Sequence, residues 1–279
     1  MEKKLCVMLS LVFALLLCAC THEVQKDDST IQSVYEEQNT EISGTETTMP
    51  AAMEETEAAP MTTEPTVPLH SDLYHPDYTL QQIREFFEEV ILDVEYSSGT
   101  GDSSLVQKWI SPIGYRIFGT PTEEDLTVLD ALFTQLNELP GFPGIYEASE
   151  GDTEQLRISF LEPEVFRASY SSVVGGEDAT GATEFWYYTD TNEIHSARIG
   201  YRTDIDQSIR NSVLIEEIIN TLGISDTVLR EDSVTYQYSD FNTALSDVDW
   251  ILLKLLYHPE IRCGMDAAAC AAALEELYY

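Results

Sequence analysis

Glu216, Glu217 and Asn220 lie in one apolar-periodic stretch, with Gly223 just after it and Asp226 three residues further on. On a helix, residues four apart share a face one turn apart, so Glu216 and Asn220 point the same way. A chain that turns at Gly223 can carry Asp226 back toward them. That set offers carboxylate and amide oxygens only, a chemistry suited to calcium or magnesium rather than zinc. Glu217 is the candidate group for activating a water, and its charge beside Glu216 adds repulsion that a cation would relieve. The plainer alternative is structural: Glu216 or Glu217 pairs with Arg210 or another base and locks the helix to the sheet.

Zinc peptidases of the zincin class use the frame H-E-x-x-H-x-x-G-x-x-H/D. Two imidazoles one turn apart grip the metal, a glutamate activates its water, a glycine makes the turn and a third ligand follows. Laid on this sequence, the frame puts Glu216 and Asn220 at the histidines, Glu217 at the base, Gly223 at the turn and Asp226 at the third ligand. Without imidazoles zinc affinity is poor, so no zinc cofactor is expected, and binding is expected rather than catalysis. Ser233-Val234-Thr235-Tyr236 falls where such proteins turn under the site. Three functions stay open: a non-catalytic cleft for a peptide or glycan, a metal-dependent hydrolase with oxygen ligands, and a structural partner in an envelope complex.

Glu216-Glu217, Leu222-Gly223, Leu245-Ser246-x-x-Asp249, Leu256-Tyr257-x-Pro259 and Gly264-Met265 together resemble an uncharacterised bacterial family, domain of unknown function family 2927. The resemblance is strongest over 205–266 and rests further upstream on Lys108-Trp109 and on element order. It implies a zincin-like fold and an exported location, and it supplies no activity. Members carry Glu-Glu-x-x-Gln at this helix, so Asn220 keeps the amide at a shorter reach.

The N-terminus supports export independently. Met1-Glu2-Lys3-Lys4 is a short positive region, and residues 5–17 form an apolar run too short for a comfortable membrane span. Leu17-Cys18-Ala19-Cys20 then reads as a lipobox, making 1–20 a lipoprotein signal peptide and Cys20 the lipidated residue. The expected location is the outer face of the cytoplasmic membrane, held by that lipid. Residues 21–70, rich in Thr, Glu and Pro, read as a disordered acidic stalk before one domain at 71–279. Of the total charge of -36, residues 1–20 carry +1 and 21–70 carry -10, leaving -27 on the domain. Such a field repels phosphate backbones and anionic lipid, which argues against nucleic acid and leaves a peptide, a glycan or an envelope protein as partner. Cys263 and Cys270 form a possible disulfide in an oxidising compartment, with two free thiols as the alternative.

The elements that must position these groups follow from periodicity. Apolar stripes predict helices at 79–92, 123–139, 208–222, 247–256 and 266–279, with Ser246/Asp249 as a capping box and Asp266 as an N-cap. Interrupted apolar residues at 105–118 suggest strands around a bend. Alternation predicts strands through Leu156, Ile158 and Phe160 and through Ile194 to Tyr201, with the aromatic block Phe185-Trp186-Tyr187-Tyr188 between them and 174–183 as a long loop. Helices first, a sheet in the middle and helices last is an α+β order, and the full expectation is a zincin-like fold with a mixed sheet packed on helices. Trp186, Tyr187 and Tyr188 could line a sugar-binding surface. No histidine pair among His22, His70, His75, His195 and His258 has helical metal-ligand spacing, and there is no Gly-x-Ser-x-Gly elbow.

Overall fold

Short alternating segments build a five-stranded sheet: β1 (Ile113–Gly119), β2 (Ile145–Glu147), β3 (Leu156–Leu161), β4 (Gly181–Tyr187) and β5 (Ile194–Arg202). Their spatial order is β2-β1-β3-β5-β4. All neighbours are parallel except β4, which runs antiparallel to β5 at one edge. This computed structural model describes residues 73–92, 105–149, 151–171, 179–239 and 241–278. Cys20, the signal segment and the Thr/Glu/Pro-rich stretch lie outside the described residues.

Among the described residues six helices accompany the sheet: α1 (Leu80–Leu92), α2 (Glu123–Asn137), α3 (Pro163–Ser169), α4 (Gln207–Thr221), α5 (Asp247–Leu256) and α6 (Ala267–Leu277). The mixed sheet and its helices agree with expectation, whereas the segregated order does not. α2 lies between β1 and β2, parallel neighbours that a hairpin cannot join, and α3 lies between β3 and β4. Residues 181–183, expected at the end of a loop, open β4 instead. β2 and α3 carry no periodic signal in the sequence, since three and seven residues are too few to display one.

Helix ends follow their local chemistry. Thr122 and Asp125 close a capping box on α2, and Ser246 and Asp249 do so on α5. Asp266 accepts from the Ala269 amide to start α6. Among the described residues no helix is long and apolar enough to cross a membrane.

The core forms where α4 meets one sheet face. Leu156, Ile158, Phe160, Phe185, Ala197, Ile199 and Tyr201 are buried there, as are Val213, Leu214 and Ile218 of α4. Two buried polar tips fasten the helix, each with its own donor paired. The Tyr201 hydroxyl donates to the Leu214 carbonyl at 2.9 Å, and Trp109 Nε1 donates to the Thr221 carbonyl at 2.7 Å. Lys108 is buried beside them, and burial pushes its ammonium down to about 8. Its Nζ donates to the Leu256 and Ile261 carbonyls, the first of them in the last turn of α5, where a cation is favoured.

Candidate functional site

α4 carries the candidate residues, and its packing decides where each one faces. Glu217 turns toward β4 and is only 2% exposed. Gly181 leaves the space for it: a Cβ at that position would stand 2.6 Å from Glu217 Oε1 and 2.5 Å from Val213 Cγ1. Thr183 Oγ1 donates to the Glu217 carbonyl at 3.1 Å, tying strand to helix. Glu216, one position round the helix, is half-buried. Burial holds the Tyr201 phenol well above its ordinary range, and the Glu217 and Glu216 charges reinforce the shift.

Asn220 is 2% exposed, and its Nδ2 donates to Asp226 Oδ1 at 3.0 Å. Gly223 makes the turn between them at φ +96°, and a Cβ there would lie 2.0 Å from the Gln107 carbonyl oxygen. Asp226 therefore folds back onto Asn220. Asn220 Oδ1 and Ser225 Oγ, both buried, have no hydrogen-bond partner among the described residues. Also among the described residues, no group of three or more His, Cys, Asp or Glu side chains is placed to hold a metal ion.

Arg210 has a different partner from the one considered. It neutralises neither Glu216 nor Glu217; its Nε donates to Asp125 Oδ1 of α2 at 2.8 Å, and its remaining donors reach Gln207 Oε1 and the Thr203 and Ile205 carbonyls. The pair is buried, with 6% of the Arg210 side chain and 1% of the Asp125 side chain exposed. Burial alone would raise the Asp125 carboxyl, but hydrogen bonds from Gln207, Thr122 and Arg210 outweigh it and hold the group below its ordinary range. Arg210 thus locks α4 to α2.

Two acids that sequence reasoning did not assign to the site fasten the loop after α4. Glu89 accepts from Thr227 Oγ1 and from the Val228 amide, each at 2.7 Å. Asp249 accepts from Ser233 Oγ at 2.6 Å, the Ser246 amide at 2.8 Å and the Val234 amide at 3.2 Å, while burial raises its carboxyl above the ordinary value. Asp249 was legible as a cap; no local pattern marks Glu89. Between them Phe86, Thr227, Ser233, Thr235 and Asp249 line a cavity of about 10 Å³, room for one water. The loop held this way projects Leu229, Tyr238 and Phe241, the last 77% exposed.

The remaining candidates disperse. Trp186 and Tyr187 are half-buried, and exposed Tyr188 stacks on His195 with ring centres 4.3 Å apart. His258 Nδ1 accepts from the Glu260 amide, and His75 lies 3.5 Å from Asp247. Cys263 and Cys270 are free thiols. His22 and His70 lie outside the described residues.

Beside α4 runs the edge strand β4, whose one strand neighbour among the described residues is β5. The Arg202 amide donates to the Thr180 carbonyl, which fixes the hydrogen-bonding phase of the pair. In an antiparallel ladder that phase turns the backbone groups of Gly181, Thr183 and Phe185 outward, while their side chains face α4.

A comparison with curated proteins finds no match. A family model described as a protein of unknown function, DUF2927, matches residues 80–276, from the first residue of α1 into the last turn of α6. The match takes in the whole sheet, α4 and the loop anchored by Glu89 and Asp249, and the chain belongs to the DUF2927 family.

Proposed function

We propose that this protein is an extracytoplasmic lipoprotein, anchored through Cys20, whose zincin-like domain binds an extended peptide along the open edge of β4 without cutting it. The observation that carries the reading is the outward ladder of Gly181, Thr183 and Phe185 lying directly against α4. An unpaired strand edge recruits a further strand through its backbone groups, and the neighbouring helix and loop supply side-chain contacts. The lipobox Leu17-Cys18-Ala19-Cys20 supports the anchor.

Absence of cutting follows from donor chemistry. The positions that hold imidazoles in zincins carry Glu216 and Asn220, and Asn220 turns its N–H toward Asp226 where a shared metal would require oxygen from both. These residues do not fit a zinc ion. Glu217, in the place of the water-activating glutamate, is buried against Gly181.

The test uses the purified mature chain and a peptide pool followed by mass spectrometry. Peptides are expected to be retained whole, and peptides N-methylated at alternate residues to be lost, since methylation removes the ladder donors. Cleavage that a chelator stops and Glu217→Gln abolishes would overturn the reading in favour of a hydrolase.

A further inference from the structure

On the sheet face turned away from α4, the parallel register sets Arg116 opposite Arg157 and Arg157 opposite Arg198. Glu184 of β4 ends the row opposite Arg198. Adjacent residues point to opposite faces, and Leu156, Ile158, Ala197 and Ile199 are in the core, which puts the arginines on the other side. Like charges directly opposite across strands cost stability, a cost that neighbouring counter-charges offset in part.

Each guanidinium is held in place. Arg157 lies 3.5 Å from the centre of the Phe118 ring and Arg198 4.8 Å from that of Tyr170. Arg116 donates to the Ser149 and Asp152 carbonyls at 2.9 Å. Two carboxylates join the row: Glu154, 3.1 Å from Arg157 and 3.9 Å from Arg116, and Glu184, paired with Arg198. The arginine side chains stay 30%, 48% and 35% exposed in chain order. Three cations against two carboxylates leave an immobilised positive island on a domain that is otherwise strongly acidic.

We propose that the row Arg116–Arg157–Arg198 binds the carboxylates of a short acidic peptide segment. Strands about 4.8 Å apart give the row a length of about 10 Å. Two acidic residues separated by one other share a face of an extended chain about 7 Å apart, and their flexible side chains span the rest of the row. Guanidinium groups pre-set on aromatic rings suit planar carboxylates. The surrounding negative field repels a long polyanion, which restricts the ligand to a segment with few charges. This site lies on the opposite face from α4 and stands independently of the β4 edge.

Titration calorimetry of the full mature chain at low salt tests it. The probes are a blocked peptide with two glutamates separated by one alanine, its glutamine counterpart, and polyglutamate. The diglutamate peptide is expected to bind, the glutamine peptide not to bind, and polyglutamate to bind no tighter per chain. Arg157→Gln should weaken binding at least tenfold with an unchanged melting temperature, and Arg84→Gln on α1 should leave it unaltered. Failure of the diglutamate peptide to bind, equal binding by Arg157→Gln, or tighter binding of polyglutamate would each overturn the proposal.

Discussion

Asn220 donates its side-chain amide to the Asp226 carboxylate at 3.0 Å across the turn made by Gly223. The two residues that fall on ligand positions of the zincin frame therefore hold each other. A hydrogen bond to a charged acceptor contributes about 1.5–3 kcal/mol, less where the acceptor keeps water contact, as half-buried Asp226 does. Asn220→Ala should lower the free energy of unfolding by about 1 kcal/mol in urea. An unchanged midpoint would show that this pair does not fasten the turn.

The Arg210–Asp125 pair between α4 and α2 should behave as a buried charge pair. Asp125→Asn leaves the guanidinium buried without its counterion, at a cost of about 3–5 kcal/mol in denaturant unfolding. The pH dependence has a definite sign. The folded carboxyl titrates below its ordinary value of 3.8, so its stabilisation is full above that pH and is lost as the pH falls through the folded value. Acid titration of stability should show that loss in the wild type, and Asp125→Asn should flatten it.

Gly223 is needed for two reasons, its positive φ and its approach to Gln107. A Cβ 2.0 Å from a backbone carbonyl oxygen cannot be accommodated by moving a flexible side chain. Gly223→Ala should destabilise by more than the roughly 1 kcal/mol of left-handed strain alone. Calorimetric melting of the two proteins side by side checks this.

Gly181 differs, because its close neighbours are the side chains of Val213 and Glu217. Gly181→Ala should force Glu217 aside and cost about 1–3 kcal/mol, the usual range for overpacking. In the peptide-retention assay the same variant should bind more weakly, since the β4 backbone at that position is part of the proposed ladder.

Export and lipid attachment are checked in cells. With an alkyne fatty acid as label, wild-type protein should be labelled and sediment with membranes. Cys20→Ser should lose the label and leave the membrane fraction; retention in membranes without label would refute anchoring through Cys20.

Much of the fold was legible because it depends on near neighbours in the chain. The stripe Ile83, Phe86, Phe87, Val90 and Ile91 marks α1, alternation through Leu156, Ile158 and Phe160 marks β3, and the Ser246/Asp249 pair starts α5. The turn at Gly223 and the return of Asp226 to Asn220 span six residues and were legible for the same reason. β2 and α3 were hidden by their brevity.

Tertiary structure alone decided the rest. Nothing within a few residues of Arg210 selects Asp125, 85 positions away, over Glu217 on its own helix; the packing of α2 on α4 does. Glu216 and Glu217 are equivalent as letters, and only the docking of α4 on β4 buries one and half-exposes the other. Arg116, Arg157 and Arg198 are three isolated arginines in sequence, and strand register makes them a row. Local periodicity is set by the geometry of one element, whereas charge pairing and burial are set by which elements meet, and that is fixed by contacts between residues far apart in the chain.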